Sequence, residues 1–219
     1  MHFLSTISGF LIDFLFPKSE AAKKLERFTS ADMLSRFPSP RDIDDDKVIA
    51  VFDYQNQDVR DTVWEIKYKS NSKLSRSAAG IVYEILCQEL AERALSENFQ
   101  NPLLVPIPIS NQKRRERGFS QTETICSFIK DLDKNNLLQY EPNILKKIRH
   151  TESQTRTHSK SERLQNLLGS MKVVTNIKPQ NHSVVLFDDV YTTGATISEA
   201  RRTLNAAGFK KVLAITLAH

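Results

Sequence analysis

The sequence predicts an α/β domain: a parallel sheet flanked by helices, preceded by a small N-terminal helical appendage. Three observations carry this expectation. Short apolar runs at Val48–Phe52, Pro102–Ile109, Ser183–Phe187 and Lys211–Leu217 have the length of buried strands. Between them, apolar residues recur at helical spacing, as in Ile81, Val82, Ile85, Leu86 and Leu90, or Ile197, Ala200, Leu204 and Ala207. The alternation strand, helix, strand at these lengths implies right-handed crossovers and parallel pairing.

Composition sets the outer limits. The 219 residues allow one well-buried domain and a small addition. With 40% hydrophobic and 26% charged residues, the chain has the make-up of a soluble globular protein. The 31 basic and 26 acidic residues leave a net charge of +5, which favours anionic partners only where it clusters. Two cysteines, Cys87 and Cys126, are too few for a disulfide framework or a cysteine-based zinc site, and both lie in apolar helical patterns that suit core packing.

The N-terminus carries Phe3, Leu4, Ile7, Phe10, Leu11, Phe14 and Leu15 as one helical stripe. It is too short, and too polar on its other face, for a membrane span, and it is expected to dock on the body of the protein. It shows neither a basic n-region nor a small-residue cleavage site, so a cytoplasmic protein is expected. Residues 17–46 read as an irregular boundary, broken by Pro17, Pro38 and Pro40 and closed by the solvated run Asp42, Asp44, Asp45 and Asp46. The expected division is an appendage or hood segment over 1–46 and the main domain over 47–219.

Val59, Val63 and Ile66 mark a short helix after the first strand. Prolines end the Pro102–Ile109 strand where it gives way to its loop. Ser120-Gln-Thr-Glu123 reads as a capping box opening a helix with Ile125, Phe128, Ile129 and Leu132 on one face. The segment His150–Leu168 is polar and has no buried face until Leu164, so it is expected to be mobile without a ligand and to close over one. His150 and His158 within it lack a partner at ligand spacing and read as solvent-facing. Gly208 suits a helix C-cap before the final strand.

The chemistry concentrates in Val184–Thr196, VVLFDDVYTTGAT. A buried strand ends in paired carboxylates, Asp188 and Asp189, at the sheet edge where open α/β folds bind ligands. Such a pair can accept hydrogen bonds from two neighbouring sugar hydroxyls. Thr192, Thr193, Gly194, Ala195 and Thr196 then lead into a helix whose free N–H groups and positive dipole end suit a phosphate. A sugar phosphate fits that order of residues. A purely structural strand–turn–helix, with Asp189 as a cap, is the plain alternative. A P-loop is excluded, because none of the six glycines is followed by lysine.

VVLFDDVYTTGAT resembles the thirteen-residue signature for 5-phosphoribosyl 1-pyrophosphate (PRPP) in type I phosphoribosyltransferases. LLVPIPISNQKRRERGFSQTE, SQTRTHSKSERLQNLLGS and the stretch Tyr54–Lys67 are similar to segments of one branch, the ComF competence-associated family. The similarity spans about residues 47–219. It implies a type I phosphoribosyltransferase-like sheet and a PRPP site with Mg²⁺ between pyrophosphate and ribose. Asp188 and Asp189 would hold the ribose, and Thr192–Thr196 the 5′-phosphate. Ser110, Arg117, Gln154, Thr155 and Arg163 would serve the pyrophosphate and flexible loops. The implied activity is phosphoribosyl transfer to an unidentified acceptor. The alternative is a non-catalytic module that assists DNA uptake, with single-stranded DNA or uptake machinery as partner. The family's N-terminal four-cysteine zinc knuckle is missing: Leu15-Phe16-Pro17 is present, but no cysteine precedes Cys87, so no zinc is expected. Met171 stands where an aromatic residue is common.

Two basic clusters flank this site, Lys113, Arg114, Arg115 and Arg117, and the run from Lys146 to Arg163. Both suit pyrophosphate or nucleic acid. Only Phe119 is near them in sequence, so stacking on bases has little support from local pattern.

Overall fold

The computed structural model describes residues 20–149 and 166–219. Two short helices come first, α1 (Glu20–Leu25) and α2 (Ser30–Arg36), in the stretch expected to be irregular. Thr29 starts α2 with a reciprocal capping box. Its hydroxyl accepts from the Asp32 N–H at 3.2 Å, while the Asp32 carboxylate accepts from the Thr29 N–H at 2.9 Å. Leu25, Met33 and Phe37 from this stretch are buried in the same core as the sheet.

Strand β1 (Val48–Phe52) leads to α3 (Gln57–Lys69) and the long α4 (Ser72–Ser96). Asn56 and Asn71 cap these helices, each accepting at 3.2 Å from a first-turn N–H, of Val59 and Leu74 respectively. Then follow β2 (Leu103–Pro106), α5 (Asn111–Arg117), α6 (Gln121–Leu132), β3 (Gln139–Tyr140), β4 (Leu145–Lys147), β5 (Met171–Val173), β6 (Val184–Val190), α7 (Ala195–Ala206) and β7 (Val212–Ala218). The order in the main sheet is β1-β7-β6-β2-β3, and every pair is parallel. This is the α/β architecture that the resemblance implies. Strands β4 and β5 form a separate antiparallel ribbon.

Two apolar layers cover the sheet. On one side α3, α4 and α6 pack with α1 and α2 against Val185, Phe187, Leu213 and Ile215. On the other, α7 and the ribbon pack on Val184, Leu186, Val212 and Ala214, with Met171 buried among them. Cys126 is buried and Cys87 half-buried. No helix of the described residues is long and apolar enough to cross a membrane.

Several local expectations differ from the structure. The segment after Ile109 is a helix start rather than a loop, with Ser110 as N-cap of α5. The capping box at Ser120 is half formed: Ser120 accepts from the Glu123 N–H at 3.5 Å, but Glu123 turns its carboxylate to Arg114. Asp45 is not simply solvated; it pairs with Arg201 at 2.7 Å and ties the start of β1 to α7. Ala207 is exposed, because α7 ends at Ala206 and Gly208 turns the chain away with φ 100°. The N-terminal stripe, Leu15–Pro17, His150 and His158 lie outside the described residues.

Candidate functional site

The carboxyl ends of β6 and β2 bring the site residues together. Strand β6 runs three residues past Phe187, to Val190, so Asp188 and Asp189 belong to the strand itself, and both are buried. Both oxygens of Asp189 accept hydrogen bonds, and one of them has room for a further donor. One oxygen accepts from the Lys67 ammonium and the Gln121 amide, each at 2.9 Å, and the other from the Val190 N–H at 2.9 Å. Burial opposes the charge of Asp189, yet Lys67, Gln121 and the Val190 N–H together hold its carboxyl below the usual range.

Asp188 has a different environment. It accepts from the Asp189 N–H at 2.9 Å. Burial, with the neighbouring Asp189 carboxylate, pushes its pKa up to about 8, against the opposing pull of that N–H and Lys67. Two adjacent acids thus share one nearby cation unequally. For Lys67, burial works against the charge, and the pair of acids outweighs it and raises the ammonium above its ordinary value.

Beyond the acids, Gly194 is the N-cap of α7, with φ 74° and no side-chain cap. A Cβ there would come within 2.5 Å of the Tyr191 hydroxyl, so glycine is required both by backbone angle and by space. Tyr191 is held in turn by His219, whose Nδ1 lies 2.8 Å from the Tyr191 carbonyl. Thr193 accepts from the Ala195 N–H at 3.5 Å, Ala195 is buried, and Thr192 and Thr196 stand at the mouth of the first turn. A bare helix start between hydroxyls can receive an anion.

Ser110 is buried and accepts from the Lys113 N–H at 3.3 Å, so its hydroxyl sets the first turn of α5. Arg117 sits at the far end of that helix. It donates to Gln121 Oε1 at 3.2 Å, and Gln121 donates to Asp189, so Arg117 reaches the acids through one intermediary. Gln154, Thr155 and Arg163, with the segment expected to close over the site, lie outside the described residues.

Lysines complete the electrostatics. Burial lowers the Lys113 ammonium, with Arg117 and Lys67 adding repulsion and the two acids opposing it. Burial also lowers Lys147, together with Lys113, against the attraction of Asp188. Lys67 and Lys113 thus bear on both acids, and Lys147 on Asp188, so positive charge reaches the pair from three separate elements.

Lys113 and Lys147 belong to the two basic clusters expected from the sequence, whereas Gln121 and Tyr68 were not singled out there. Gln121 sits 68 positions from its acid and is masked by the capping signal around it. Tyr68 corrects the reading of the basic cluster: Arg117 lies 4.9 Å from its ring centroid, and Lys69 lies 5.5 Å from that of Trp64. The aromatics lacking near α5 in sequence are supplied by α3.

Three curated relatives match the chain. Competence protein F of Haemophilus influenzae is 30% identical over 156 residues, covering 68% of this chain and 63% of that protein. Competence protein ComFC of Bacillus subtilis is 31% identical over 107 residues, 48% of this chain and 39% of the relative. Competence protein ComFC of Streptococcus pneumoniae is 27% identical over 168 residues, 77% of this chain and 66% of the relative. In each case the match spans less than two thirds of the relative's own length. No family model matches the chain. Among solved structures, a hypoxanthine phosphoribosyltransferase from Staphylococcus aureus aligns with TM-score 0.32 and 13% identity over 62% of this chain and 61% of that one, a likeness too slight to carry an argument.

Proposed function

Because the chain belongs to the ComF family of competence proteins, we propose that it binds PRPP with Mg²⁺ and transfers the phosphoribosyl group to an acceptor, releasing pyrophosphate. One observation carries this reading: a buried acid pair at a strand end runs directly into a glycine-capped helix start, with three lysines around the acids. Asp188 and Asp189 accept the ribose hydroxyls, and Thr192, Thr193, Gly194, Ala195 and Thr196 receive the 5′-phosphate. Ser110 presents the start of α5 to pyrophosphate, and Arg117 supports that side through Gln121.

In the reaction the C1–oxygen bond to pyrophosphate breaks and its electron pair leaves with pyrophosphate. A bond from the acceptor's nitrogen or oxygen to C1 forms, and the acceptor's proton passes to solvent. Hard carboxylate oxygens beside a polyphosphate suit Mg²⁺, and the raised pKa of Asp188 marks a carboxylate that gains from an added positive charge. Bound with PRPP, Mg²⁺ supplies neutralisation of the leaving group. Lys113 and Lys147 add to it, and the rate gain comes from positioning and charge stabilisation. Calorimetry with PRPP and Mg²⁺ tests the site. Replacing both acids, Asp188→Asn with Asp189→Asn, should weaken binding by about ten- to a hundredfold per lost charge-assisted bond. Unchanged affinity would exclude this site. A pyrophosphate-release screen over ring nitrogen compounds and amines tests turnover.

A second reading is favoured by the cation-over-ring pairs beside the site: a non-catalytic module that handles single-stranded DNA during uptake. Trp64 is the single tryptophan, so its emission reports stacking directly. Oligothymidylate should quench it in a salt-dependent manner, and replacing Lys113, Arg114, Arg115 and Arg117 by alanine should flatten that dependence. Binding that ignores salt, or survives the substitutions, rules this reading out.

A further inference from the structure

We infer that a second anion site lies beside the ribose acids, in the cavity of about 720 Å³ between α5, the end of β3 and the β4–β5 ribbon, and that its ligand is a planar ring compound carrying carboxylates. Four cations line the cavity, Arg114, Lys146, Lys147 and Lys172. Its one acid, Glu123, is already paired with Arg114. The three lysines have no ion-pair partner among the described residues.

The ribbon makes this imbalance more pointed. Lys146 and Lys172 stand directly opposite each other in its register. Facing residues of an antiparallel pair have Cβ atoms roughly 4.5–5.5 Å apart, and like charges so placed oppose the pairing. A multiply charged anion between them removes that cost. The lowered ammonium of Lys147 points the same way, since burial and Lys113 both press on it. Opposite the lysines stands Tyr140, whose hydroxyl donates to the Glu123 carbonyl at 3.3 Å, giving the cavity a flat, fixed wall. Several hundred Å³ with few polar groups at defined positions is the size of a small-molecule site.

Lys147 links this cavity to Asp188. Resting on the PRPP reading, the ligand is then the acceptor, held with its charges on the ribbon and its ring towards C1. The probe is phthalate, a ring dicarboxylate without phosphate, titrated calorimetrically into the full chain saturated with PRPP and Mg²⁺. Inorganic phosphate serves as the ringless anion and benzamide as the uncharged ring.

Phthalate should bind, more weakly as salt rises, and more tightly than either control. Lys146→Ala with Lys172→Ala should weaken phthalate about tenfold, the loss of two partly screened charge contacts, with PRPP affinity unchanged. Both lysines are exposed, so the variant should fold as the parent does. Equal phthalate binding by parent and variant would overturn the inference. So would displacement of phthalate by PRPP, or phosphate binding as tightly as phthalate. If PRPP fails to bind the parent, the PRPP reading falls, and the same parent-to-variant comparison in the free protein decides the anion site.

Discussion

At the scale of single residues, Asp188 separates function from stability. Its carboxyl, raised to about 8, takes up protons in the folded state over a range where the unfolded chain has released them. The sign follows directly: this group's contribution is fully present at low pH and is lost as pH rises from the ordinary carboxylate range towards 8. Asp188→Asn removes the late ionisation. Thermal unfolding should therefore show the variant gaining stability relative to the parent as pH rises from the ordinary carboxylate range to above 8. The same substitution should weaken PRPP binding by about ten- to a hundredfold, the loss of one charge-assisted bond. A parent that gains stability relative to the variant on raising pH would contradict this assignment. Asp189 behaves in the opposite sense, since Lys67 already balances it. Both acids were legible in the sequence from their place between an apolar strand and a threonine–glycine turn. Their unequal environments were not, because Lys67 and Gln121 arrive from distant helices and no local pattern records such pairings.

Among elements, helix α7 does two jobs. Its first turn carries the N–H groups proposed to receive the 5′-phosphate, and one turn later Glu199 turns back into the protein. Glu199 is only 3% exposed. It accepts from Arg202 at 2.8 and 3.0 Å and from the Thr203 hydroxyl at 3.4 Å. It also accepts from the backbone N–H groups of Gly169 and Met171, which pins the start of β5 to the helix. Burial opposes its charge, but Arg202 and the two N–H groups hold the carboxyl low. Glu199→Gln keeps the shape and replaces one acceptor by a donor, so it should cost about 1–3 kcal/mol. Amide exchange should accelerate at Gly169 and Met171 before the sheet opens, and uniform acceleration throughout would show that Glu199 does not act on the ribbon. Helix and strand periodicity foretold β1, β6, β7 and the buried stripe Ile197, Ala200 and Leu204 of α7. It missed α1 and α2, whose few apolar residues, Leu25 and Met33 among them, are spaced too sparsely to read as a face. They become helical faces only because α3 and α4 provide a surface for them. The two-residue strand β3 and the β4–β5 ribbon escaped for a related reason, since both are shorter than any periodic signal.

For the whole molecule, the packing of the N-terminal helices predicts how it unfolds. Leu25 and Met33 are fully buried against the layer that also covers β6 and β7. Leu25→Ala should cost about 2–5 kcal/mol, and denaturant unfolding should remain one transition when followed by Trp64 emission and by far-ultraviolet dichroism. Two separated transitions would make residues 20–46 an independent unit. The strand order β1-β7-β6-β2-β3 also bears on how the chain is made. Its two middle strands come from residues 184–218, so β1 and β2 leave the ribosome long before the neighbours that join them. Until then both present unpaired backbone and apolar side chains over the synthesis of about a hundred further residues, the circumstance in which nascent chains aggregate. A fragment stopping before Val184 should therefore be insoluble or held by chaperones, whatever helices it forms, because the strands that join its two halves have not yet been translated.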